Sequence, residues 1–74
     1  MLVRFGDRAF IEHKEVKKLT LKQEEGHACV KVFFKAPELL PLMEDFDKRE
    51  DALEFMEDFA HDVNKCYEDE LNAL

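Results

Sequence analysis

The 74-residue chain has no tryptophan and no serine, and only two glycines, two prolines and two cysteines. Each shortage removes a class of function. Without serine there is no serine nucleophile, and two isolated glycines cannot build a loop that cradles phosphate, which needs several at fixed spacing. Cys29 and Cys66 are too few for a disulfide framework and lack the paired C-x2-C spacing of zinc modules. Both read as small buried or half-buried apolar residues. The longest stretch free of polar side chains is Leu39-Leu40-Pro41-Leu42-Met43, far short of the roughly 20 residues of a membrane-spanning helix. The opening residues Met1 to Arg8 lack the apolar stretch of a signal peptide. A cytoplasmic location is the expectation.

Hydrophobic residues make up 46% of the chain and charged residues 39%, a balance that folds rather than stays disordered. One domain spanning 1–74 is expected. A domain this small buries only about 60% of its unfolded surface, so a second copy of the chain is the expected extra source of stability. The net charge is −7, and it is unevenly spread. Residues 1–35 hold eight basic and five acidic side chains, whereas 36–74 hold three basic and thirteen acidic ones. The second half is therefore a poor partner for phosphate, which is bound by Lys and Arg.

The strongest local pattern is C-terminal. Asp47-Lys48-Arg49-Glu50 reads as a capping box, with Asp47 as N-cap and Glu50 reaching back to it. A helix over 47–72 follows. At about 100° per residue, Ala52, Leu53, Phe59, Ala60, Val63, Cys66, Tyr67, Leu71 and Leu74 gather within roughly 80° of Met56. Acidic residues crowd the opposite side. Met56, Phe59, Val63 and Tyr67 are expected to lie on Val30, Val32 and Phe34.

Residues 1–46 read as a β-meander. Leu2–Phe5 and Ala9–Ile11 flank a turn at Gly6-Asp7-Arg8. Lys18–Lys22 and Ala28–Lys35 alternate with period two, with a turn at 23–27. The segment 12–17 fits either a strand or one helical turn, and Leu39–Phe46 fits an edge strand, where Pro41 is tolerated. The fold class is α+β: an antiparallel β-meander of three to five strands with one long C-terminal helix packed on one face. The uncovered face would carry Cys29, Lys31, Phe33 and Lys35.

The succession of a short hairpin, a strand through Phe10–Leu21 and a strand at Val30–Phe34 resembles small phage-encoded proteins. So does the ending, where Phe46-Asp47 closes a strand and Lys48-Arg49-Glu50-Asp51-Ala52-Leu53-Glu54-Phe55 opens an acidic helix. This resemblance spans most of the chain and contains no catalytic motif. It implies a non-enzymatic class whose members include binders and inhibitors of host enzymes and defence complexes.

Sharper chemical readings fail on geometry. Zinc from His27, Cys29, His61 and Cys66 is disfavoured because His61 and Cys66 point about 140° apart on a helix. Calcium at Glu44, Asp45, Asp47, Glu50 and Asp51 lacks the central glycine of a calcium loop. His61 with Glu57 or Asp58 sits at helical contact spacing but on an open face, where a general acid–base pair has no substrate position. No cofactor and no metal are expected. Lys14, Lys17, Lys18, Lys31 and Lys35 with Phe33 could form a nucleic-acid patch, opposed by the overall negative charge.

The reading that remains is a protein-binding module. Glu54, Glu57, Asp58, Asp62 and Asp69 would dock on a basic surface of a host protein, with Phe55 either as apolar anchor or as a flank of the core. Phe33, Cys29, Leu39, Leu40, Leu42 and Met43 would form a homodimer interface. The alternatives are a self-assembling structural or accessory protein, and a small nucleic-acid-binding regulator.

Overall fold

Short alternating apolar segments form the first half of the chain, and their turns decide where each strand ends. The computed structural model describes residues 1–73, so Leu74, expected on the helical stripe, lies outside the described residues. Strands β1 (Leu2–Phe5) and β2 (Ala9–Glu12) pair antiparallel, with Val3 opposite Ile11 and Arg4 opposite Phe10. Gly6 takes the positive φ (60°) that the turn needs, a conformation open to glycine at no steric cost. Arg4 braces it, Nε donating to the Gly6 carbonyl at 2.9 Å and Nη2 to Asp7 Oδ1 at 2.9 Å.

The ambiguous segment after β2 resolves into both of its alternatives. His13–Glu15 is a single 3-10 turn, and Val16 then begins β3 (Val16–Glu24). That turn separates two sheets. β1 and β2 form one, while β3, β4 (His27–Phe34) and β5 (Leu42–Phe46) form the other, with β4 central and all pairs antiparallel. The β3–β4 hairpin is tighter than expected, because Glu24 pairs with His27 and only Glu25 and Gly26 turn the chain. Gly26 has φ 83°, suiting a two-residue hairpin loop. The register slips at Lys17, where Val16 faces Phe34 but Lys18 faces Phe33.

Helix α1 covers Arg49–Asn72, about 36 Å of helix. Its N-cap falls one residue later than the capping box implied. Lys48 is the N-cap, extended at φ −122° and ψ 140°, with no side-chain cap bond. Its carbonyl accepts from the Ala52 amide at 3.2 Å. The chain leaves β5 extended through Lys48, so Asp47 falls outside the helix and cannot reach the first-turn amides. Glu50 and Asp51 still complement the positive helix end.

Period-two alternation turns Ala28, Val30 and Val32 to one side of β4, all fully buried. Over that side lie Ala52 and Phe59 of α1 and Val3, Phe5 and Ile11 of the β1–β2 hairpin, completing one core. The helix therefore shares this face of the three-stranded sheet with the hairpin. Phe5 joins them, its ring edge-on to Phe55 at 5.2 Å and to Phe59 at 5.4 Å. Met56 and Val63 pack against the core half-buried. Tyr67, expected beneath the helix, is instead 39% exposed and rests edge-on against His13 at 4.8 Å. Leu53 and Leu71 are exposed as well, so the stripe is buried only where sheet or hairpin lies under it.

Candidate interaction surfaces

The polar side of α1 is rich in carboxylates, with His61, Asn64 and Lys65 exposed among them. Glu54, Glu57, Asp58, Asp62 and Asp69 are all exposed, and Glu54 to Asp69 spans about 22 Å along the axis. Among the described residues none of the five lies within 4 Å of a cationic group. Among the described residues, Glu70 is the one helix acid that a cationic group approaches, Lys14 Nζ at 3.7 Å. His61 stands on the same surface, where it lines a shallow polar hollow of about 220 Å³ with Asn64, Lys65, Glu68 and Asp69. Phe55 is not part of this surface. Its half-buried ring packs on Phe5 and, at 5.1 Å, on Phe46, the arrangement of a flank of the core.

The six residues grouped as a dimer interface divide between two places. Cys29, Phe33 and Met43 lie on the uncovered face of the three-stranded sheet, in a shallow depression with Thr20, Lys22, Lys31 and Asp45. Leu39, Leu40 and Leu42 line a different groove with Ala9, Phe10, Ile11 and Phe34. Leu42 also packs against the core. Strand alternation explains the split, since Leu42 and Met43 are neighbours on β5 and must face opposite ways. Phe10, 68% exposed, was not among the candidates. Its signal was present, because it lies out of phase with Ile11 on a strand whose inward positions are apolar.

The open sheet face is mixed in charge. Lys18 Nζ stands 4.7 Å and Lys31 Nζ 5.7 Å from the Phe33 ring centre, so cations cap the ring that would have served as a stacking platform. Lys22 lies 3.4 Å from Glu24. Lys14 is elsewhere, 3.7 Å from Glu70 on α1. The five lysines do not assemble into one patch. Cys29 is only 8% exposed, and burial, then the neighbouring Asp45, pushes its thiol up from the ordinary range.

His13 is the residue that pattern reading passed over. It is fully buried, with Nδ1 2.9 Å from Glu12 Oε1 and 3.1 Å from the Met1 carbonyl. Nε2 lies 2.7 Å from Glu70 Oε1 without making a hydrogen bond. His13 continues the inward phase of Ile11, which is the signal for its burial. The Met1 amino group contacts Glu12 Oε1 at 2.9 Å, and this ammonium holds the Glu12 carboxyl below the usual range. His13 thus ties the first strand to the last turns of α1.

Cys29 and Cys66 are both free thiols. Among the described residues no three His, Cys, Asp or Glu side chains converge as a metal site, and no helix is long and apolar enough to cross a membrane. The features with chemical character are therefore surfaces: an acidic helix face, a mixed sheet face and an apolar groove. No family model, curated protein or solved structure matches this chain.

Proposed function

We propose that the chain is a non-enzymatic protein-binding module that occludes a basic surface of another protein through the outer face of α1. The observation that carries this reading is the run of exposed carboxylates from Glu54 to Asp69 without a cation within 4 Å among the described residues. Lys65 offsets one of these charges and leaves the face net negative, and Ala52 and Phe59 anchor the helix that bears them in the core. Fixed like charges on one face steer a cationic partner and speed its association. The resemblance to phage-encoded proteins supports a host protein as that partner, of the kind whose basic surface ordinarily holds nucleic acid.

The test compares the native chain with a variant carrying E54Q, E57Q, D58N, D62N and D69N. Both are used to capture partners from a bacterial lysate at about 50 and about 500 mM salt, which brackets strong and weak screening. A captured protein is then purified for kinetics. The neutralised variant should keep its thermal melt, associate about tenfold more slowly or worse, and show a flatter salt dependence. Equal rates and equal salt slopes would overturn the reading. Self-association alone would favour an assembly protein, and retention on DNA a nucleic-acid regulator.

A further inference from the structure

A strand at the edge of a sheet offers unpaired backbone groups, and proteins normally guard them with charge, a bulge or a covering element. Four strands here have such an edge, and three are guarded. β1 lies against α1 through Phe5. β3 carries the exposed charges Lys17, Lys18, Lys22 and Glu24 along with its register slip. β5 has the hairpin tip against it, a Cβ built on Gly6 falling 2.8 Å from Glu44 Oε2 and Arg8 Nε lying 3.9 Å from the same atom. β2 carries only one charge, Glu12 at its end, and among the described residues has neither a register slip nor an element paired along its outer edge.

The pairing pattern shows which β2 groups are open. The His13 amide donates to the Met1 carbonyl at 3.0 Å, so the pair 1/13 is a hydrogen-bonded one. Antiparallel pairs alternate, which makes Val3/Ile11 and Phe5/Ala9 hydrogen-bonded and leaves Arg4/Phe10 and Leu2/Glu12 not. The amide and carbonyl of Phe10 and the amide of Glu12 therefore point away from β1. All four β2 residues line the apolar groove of about 340 Å³ whose far wall is Phe34, Leu39, Leu40 and Leu42. Leu40 is 83% exposed. Two carboxylates, Glu12 and Glu15, stand in the lining and no lysine or arginine does.

We propose that this groove is a strand-addition site for an extended peptide segment that alternates aliphatic side chains with lysine or arginine. Its backbone would pair with Phe10 and Glu12, its aliphatic side chains would enter against Leu40 and Phe34, and its cations would meet Glu15, the Glu12 carboxylate being already held by the Met1 amino group at 2.9 Å. Strand addition takes affinity from main-chain bonds and selectivity from side-chain pockets. A second copy of this chain is the less suited occupant, since it would set the same carboxylates against each other in a molecule of net charge −7. The site is separate from the α1 face and does not depend on it.

The probe is a capped octapeptide alternating lysine with leucine or valine, titrated into the 15N-labelled full chain. Amide signals of Ala9–Glu12 and Leu39–Leu42 should shift saturably, and the Phe10 and Glu12 amides should become slow to exchange. N-methylation of the bonding edge should weaken binding about tenfold or more. A peptide with glutamate for lysine should not bind. Leu40→Asp, at an exposed position, should abolish binding without moving the thermal melt. Shifts confined to α1 or the open sheet face, or indifference to N-methylation, would overturn the proposal. So would Phe10 protection that appears without peptide and rises with protein concentration, which would make the occupant a second copy.

Discussion

Removing the Phe5 ring should unlock the helix from the hairpin and the sheet in one step. Phe5 is fully buried, and truncating a buried Phe to Ala costs about 3–5 kcal/mol through lost transfer energy and the cavity left behind. Its edge-on contacts with Phe55 and Phe59 add about 0.5–1.5 kcal/mol each beyond burial, so the upper half of that range is expected. At about 0.05–0.15 kcal/mol per residue, a chain this long has a reserve of about 4–11 kcal/mol. Phe5→Ala should therefore leave a partly unfolded population in buffer. Urea titration followed by circular dichroism at 222 nm reads the helix, and Tyr67 fluorescence reads the far end of α1. Both curves should move together to lower urea, and a double-mutant cycle with Phe59→Ala should return a coupling of about 0.5–1.5 kcal/mol. A loss below about 1 kcal/mol, or two curves that separate, would show that the hairpin is not part of the same cooperative core.

Gly6→Ala should destabilise by about 1–2 kcal/mol for its left-handed backbone, and by somewhat more because the new methyl meets the Glu44 carboxylate. Gly26→Ala has open space around it and should show the backbone share alone; equal melting shifts would refute the Glu44 contact. Glu12 is held below its usual range in the fold, so its contact with the amino group is worth most above the ordinary carboxylate value and fades as acid protonates it. The gap in melting temperature between the native chain and Glu12→Gln should close from about pH 5 to about pH 3, and a gap that widens would reverse the sign argued here. With its thiol pushed up and only 8% exposed, Cys29 should react with iodoacetamide more slowly than the half-buried Cys66 at pH 8 (about the usual labelling range). Peptide mass mapping would detect equal rates, which would refute the burial argument.

Features set by neighbours a few residues away were legible in the chain itself. The 3.6-residue stripe that buries Ala52 and Phe59, the alternation that buries Ala28, Val30 and Val32, and the crowding of acids on one helix face all follow from backbone periodicity. The α+β arrangement follows from them, because a one-sided helix and one-sided strands must cover each other. Tertiary structure decided what periodicity cannot weigh. Phe55 and Tyr67 lie near the same helical stripe, yet one meets Phe5 and Phe46 while the other reaches past the sheet to His13. The 3-10 turn at His13–Glu15 cut the meander into two sheets, and the separated hairpin then added Val3, Phe5 and Ile11 to the core that α1 alone was expected to cover. The same cut left the β2 edge beside Leu39, Leu40 and Leu42. These outcomes depend on contacts between segments distant along the chain, where the packing of whole elements outweighs the preference of any one residue.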